Sequence, residues 1–153
     1  MCGRFTNRFS SVKLYREKGI NMIEELLEKP AWVIDILPHQ VPKVRSGQYF
    51  AIEDYLLKEP HYTNIRKQMF HILLKLNCYE QFDVVKDDQK IINPAPGELW
   101  EMMKEDLDII TCDSLITVHR DDLYMTIYSE EKELKVLLTQ LADSEGMFFR
   151  KAA

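Results

Sequence analysis

Hydrophobic positions along the chain change period several times, and each change predicts an element. Met22, Ile23, Leu26 and Leu27 recur at helical spacing until Pro30, which predicts a short first helix. Residues 31–37 read AWVIDIL, an apolar, partly β-branched run between prolines that suits a strand buried on both faces. Asp35 is costly inside such a run unless it faces out or is paired or hydrogen-bonded. A polar loop containing Pro38, His39, Gln40 and Pro42 follows, and residues 49–57 resume a helical pattern that Pro60 ends.

The clearest helix lies over residues 61–77, where Ile65, Met69, Ile72, Leu73 and Leu76 form one stripe. Residues 78–85 predict a strand before an Asp87-Asp88 turn, and residues 98–105 a short helix. Residues 115–119 and 123–128 flank Arg120-Asp121-Asp122 as a β-hairpin. Leu123, Met125 and Ile127 fall on one of its faces, Tyr124, Thr126 and Tyr128 on the other. Ser129 is placed to cap a last helix, with Glu130 and Glu131 at its amide-rich start and Leu134, Leu137, Leu138 and Leu141 along its buried stripe. Gly146 ends that helix, and residues 147–150 supply a closing strand.

This order predicts an α+β fold: one compact domain over residues 22–153, with a helical front half followed by a β-hairpin, an amphipathic helix and a closing strand in a mostly antiparallel sheet. A length of 153 residues suits one domain, and 46% hydrophobic with 29% charged residues is the balance of a folded chain. No run approaches the roughly 18 apolar residues of a membrane span. The opening MCGRFTNRFS lacks a secretory pattern, and cysteines at 2, 78 and 112 form no CxxC, so reduced thiols and a cytoplasmic location are expected.

Charge divides the chain. Residues 1–21 hold Arg4, Arg8, Lys13, Arg16 and Lys18 against Glu17, and read either as a translated leader ahead of Met22 or as a flexible basic arm. Residues 98–145 hold thirteen carboxylates against four basic side chains. Such a surface repels nucleic acid and anionic membranes and steers toward basic proteins.

Reactive motifs are sparse. The cysteines and histidines show no metal-ligand spacing, and no GxxxxGK, GxGxxG or GxSxG occurs, so neither a metal nor a cofactor is expected. Two polar groupings remain as candidate chemistry. Asp35, His39 and Gln40 lie where a buried strand runs into a proline-framed loop. Cys112 and His119 would form a nucleophile and base if the chain reversed near Ser114.

Met1-Cys2-Gly3-Arg4-Phe5 resembles the opening of the SOS-response-associated peptidase family, over these five residues. The resemblance implies that Cys2, exposed after methionine removal, would attack an abasic-site aldehyde in single-stranded DNA. The chain has no Asn-Ala-Arg followed by Glu and no Glu-His pair placed to assist Cys2; Asn93-Pro94-Ala95-Pro96-Gly97 is similar to that family's Asn-x-Ala-Pro-Gly loop only loosely.

The leading expectation is a small acidic binding or regulatory protein without catalytic activity, which neutralises a basic protein partner. Its candidate contacts are Asp121, Asp122, Tyr124, Tyr128, Glu130 and Glu131, and self-association is compatible with the same surface. An enzyme built on Asp35 and His39 or on Cys112 and His119 is the alternative.

Overall fold

The computed structural model describes residues 20–152. Within them the chain forms α1 (Ile20–Leu27), β1 (Ala31–Asp35), a 3-10 turn (Lys43–Arg45), α2 (Ser46–Leu56), α3 (His61–Asn77), β2 (Asp83–Lys86), β3 (Gln89–Ile92), α4 (Pro96–Met102), β4 (Leu107–Thr111), β5 (Ser114–Val118), β6 (Met125–Tyr128), α5 (Lys132–Ser144) and β7 (Phe148–Lys151). The strands make one sheet in the order β3-β2-β4-β5-β6-β1-β7, with every neighbouring pair antiparallel. The expected α+β class therefore holds. Among the described residues no helix is long and apolar enough to cross a membrane.

Two strands, β3 and β4, lie where none was expected, and both follow from turns built without glycine. Asp87 and Asp88 have φ of 50° and 60°, and Cys112 and Asp113 have φ of 51° and 55°. Paired positive φ values make the tight turns whose twist matches a hairpin, so each dipeptide reverses the chain directly. Residues 78–82 are not strand: Cys78 caps α3, and Phe82 is buried just before β2. Ser129 does not cap α5. Glu131 holds that position, while the Ser129 hydroxyl is buried against Ser114 Oγ at 2.7 Å and accepts the Glu131 N–H.

Alternation gives the sheet two unlike faces. Ile34, Val84, Ile109, Ile116, Val118, Met125 and Ile127 point into the core, where they join Met69, Ile72, Leu73 and Leu76 of α3 and Leu134 and Leu138 of α5. The stripe read from residues 61–77 is thus core throughout, and the leucine stripe of α5 is buried as expected. The reverse face carries Val33, Asp35, Leu115, Thr117, Thr126, Tyr128 and Arg150, and α1 packs against it at β5. Hairpin pairing of Leu115 with Tyr128 and of Val118 with Met125 sets this register. A one-residue slip would exchange the faces.

Candidate functional site

On the reverse face strands β6, β1 and β7, at one end of the sheet, floor a concavity of about 330 Å³ lined by Val33, Asp35, Gln40, Tyr124, Thr126, Tyr128 and Arg150. A neighbouring hollow of about 250 Å³ shares Asp35, Gln40 and Arg150 and adds His39, Tyr49 and Phe50. Two groupings that looked unrelated along the chain, the hairpin tyrosines and the Asp35/His39/Gln40 loop, therefore meet on one surface.

Asp35 explains itself here. It is 7% exposed, and both of its oxygens are engaged: Oδ1 accepts the Ile36 N–H at 2.7 Å and Oδ2 accepts Arg150 Nη2 at 2.8 Å. Adjacent strands bring the pair together, because β1 and β7 place Val33 opposite Arg150 and Asp35 opposite Phe148. A carboxylate so engaged is a structural anchor rather than a free base.

The aromatic floor is bordered by acid. Tyr49 Oη donates to Glu53 Oε2 at 3.0 Å, one turn along α2. Burial, then Glu53, then Asp35 push the Tyr49 phenol above its ordinary range. Burial also raises Tyr124, with Asp122, Asp35 and Glu53 adding to the effect. Asp122 is itself held above the usual carboxylate range, mainly by burial. Both phenols stay protonated at neutral pH and can donate or accept a hydrogen bond. Among the described residues neither Glu53 nor Asp122 has a basic side chain within ion-pairing distance, and His119 and Arg66 act on Asp122 only through space. Alongside, α2 has no buried residue: Phe50 is 62% exposed, and Ile52 and Tyr55 also face solvent.

The other candidates are dispersed. Asp121 and Asp122 sit before β6 and Glu130 and Glu131 after it, so the strand alone sets the two acidic pairs about 13 Å apart. Cys112 lies in the turn that starts β5, whereas His119 follows its far end. The chain does reverse directly before Ser114, at Cys112-Asp113, but β5 then carries His119 away by roughly the length of a five-residue strand, about 16 Å. Cys112 is moreover disulfide-bonded, so the reduced, nucleophilic thiol expected there is not what the structure holds. His119 instead lies 3.8 Å from Asp106. Cys2 is outside the described residues, and among those described no three His, Cys, Asp or Glu side chains are grouped to hold a metal ion.

Sequence reasoning missed Arg150, Tyr49 and Glu53. The i, i+4 spacing of Tyr49 and Glu53 was a usable signal, since it sets both on one helix face. Arg150 had a weaker one, a cation within the apolar closing strand that could answer the buried acid of β1.

Fold and site together define an α+β protein with one helix-covered sheet face and one partly open, tyrosine-bearing face. No family model, curated protein or solved structure matches the chain. The likeness to the SOS-response-associated peptidases thus rests on its five residues alone.

Proposed function

We propose that this chain is a non-catalytic binding protein whose partly open sheet face grips a basic protein and thereby neutralises it. The observation that carries the reading is the pairing of half-buried Tyr124 and Tyr128 with Glu53 and Asp122, carboxylates that have no basic side chain within ion-pairing distance among the described residues, His119 and Arg66 reaching Asp122 only through space. Tyrosines supply rigid contact area with little entropy to lose, and unpaired carboxylates give a guanidinium or ammonium group its counter-charge. Exposed Phe50 and Ile52 on α2 extend the surface with apolar area that a partner would cover.

Of the acids expected from the sequence, Asp121, Asp122, Glu130 and Glu131, only Asp122 joins Glu53 in acting on Tyr124, and Glu130 and Glu131 lie beyond the far end of β6. Calorimetric titration of the whole protein with nona-arginine tests it. Binding is expected at low salt and weakens steeply above about 0.15 M ionic strength, where exposed charges are screened beyond about 8 Å. Glu53→Lys with Asp122→Lys reduces affinity about tenfold or more, whereas Glu130→Lys with Glu131→Lys changes it by no more than about twofold. Equal losses from the two pairs, or no binding of nona-arginine at low salt, would refute the proposal.

A further inference from the structure

Away from that face, a hollow of about 310 Å³ opens beside α3 and α4, lined by Tyr62, Arg66, Trp100, Met103 and the β5–β6 turn at Arg120 and Asp121. Arg66 is 3% exposed, on the one turn of α3 where a cation enters the buried stripe. It donates from Nη1 to the His119 carbonyl at 3.0 Å and to Met69 Sδ at 3.8 Å, and from Nη2 to the Met103 carbonyl. All three acceptors are neutral. Among the described residues no carboxylate lies within ion-pairing distance of this guanidinium; Asp122, Asp106 and Asp121 act on it only through space. A guanidinium has five N–H donors, so donors on Nε and Nη2 remain, a pair able to take both oxygens of a carboxylate.

The other cations lining the hollow already have partners. Lys104 lies 2.9 Å from Glu101, and Arg120 lies 3.8 Å from Asp121, both near the surface. Of the acids in the lining, Glu59 holds the Thr63 N–H and hydroxyl, and Asp121 accompanies Arg120. Among the described residues Arg66 is thus a buried cation with no carboxylate at ion-pairing distance. Beside it, the Tyr62 ring centre lies 5.8 Å from the guanidinium carbon, and Trp100 and Met103 add apolar wall. The volume falls at the small end of ligand pockets, which run to about 300–1,000 Å³.

We propose that this hollow binds a small, flat, largely apolar monocarboxylate, with its carboxylate on Arg66 and its body against Tyr62, Trp100 and Met103. The single negative charge follows from the surroundings: Asp106, Asp121 and Asp122 lie close enough to repel a dianion more strongly than a monoanion.

The test is calorimetric titration of the full chain with 2-naphthylacetate, its neutral amide, acetate, and 2-naphthyl phosphate. Backbone NMR shifts locate the site. The acid is expected to saturate one site near Tyr62, Arg66 and Met103, about tenfold or more tighter than the amide or acetate, with the phosphate weaker. Arg66→Lys brings the acid down toward the amide, while Trp100→Leu weakens acid and amide together. Should Arg66→Lys fail to fold, Thr63→Trp at the mouth serves instead and is expected to block both naphthyl ligands. Absence of binding, equal affinity for acid and amide, tighter binding of the phosphate, or shifts confined to other regions would each overturn the proposal.

Discussion

Ile116 and Thr117 are neighbours on β5, yet Ile116 looks into a core sealed by α3 and α5 while Thr117 looks toward the face of Arg150 and Tyr128. On the first face almost every side chain is aliphatic and fully buried. On the second, small β-branched residues alternate with tyrosines, a buried ion pair and carboxylates at the margin. One pleat makes both, so the difference teaches where each kind of constraint sits. Substitutions on the helix-covered face are expected to be felt as stability, and on the other face the exposed positions, unlike the buried Asp35–Arg150 pair, are where the proposed binding would be felt.

The largest expected effect lies in the core. Leu73→Ala, on α3, costs about 2–5 kcal/mol, read as a lowered midpoint in urea. A loss below about 1 kcal/mol would break the contrast between the faces. Arg150→Ala comes next, because it strands the buried Asp35 carboxylate, and a loss of about 3 kcal/mol is expected. The double variant Asp35→Asn with Arg150→Met recovers most of it if the stranded charge is the cause.

Alkaline titration sharpens the comparison further. The folded-state pKa values of Tyr49 and Tyr124 are raised, so their contribution is complete below the unfolded phenol value near about 10 and is lost as pH climbs from there toward the folded values. Tyrosinate absorbance should rise last for these two residues, and Tyr49→Phe or Tyr124→Phe should each remove a late-titrating phenol. The smallest effect belongs to α2. Phe50→Ser is expected to move stability by no more than about 0.5 kcal/mol while weakening nona-arginine binding. A clear stability loss would place Phe50 with the core instead.

Much of this architecture was legible because period and burial agree locally. The α3 stripe and the hairpin faces needed only neighbours three, four or two residues apart. Strand β4 was not legible, since its turn uses Cys112-Asp113 at positive φ, where glycine or asparagine is the usual signal; the Asp87-Asp88 turn was legible, but the four-residue strand QKII behind it is too short for alternation to announce it. Half of the site was legible as well. Tyr124 and Tyr128 followed from alternation, and Asp35 from its cost in an apolar strand. Its partner Arg150 lies 115 positions away, and no local pattern announces which late residue answers an early one. Arg66 was hidden for a related reason: helical spacing marks a position as inward-facing, and a cation there reads as an interruption until its carbonyl partners are in place.

The placement of β1 between β6 and β7 reaches beyond the finished molecule. A strand that leaves the ribosome near residue 35 must wait for partners ending at residues 128 and 151, for roughly 5–25 s at about 5–20 residues per second. During that interval AWVID has no sheet to join, and its apolar side chains must be tolerated or shielded in the nascent polypeptide. Removing the final strand would leave β1 at a margin, turning a paired seam of the sheet into a surface on which newly made chains could stick to one another.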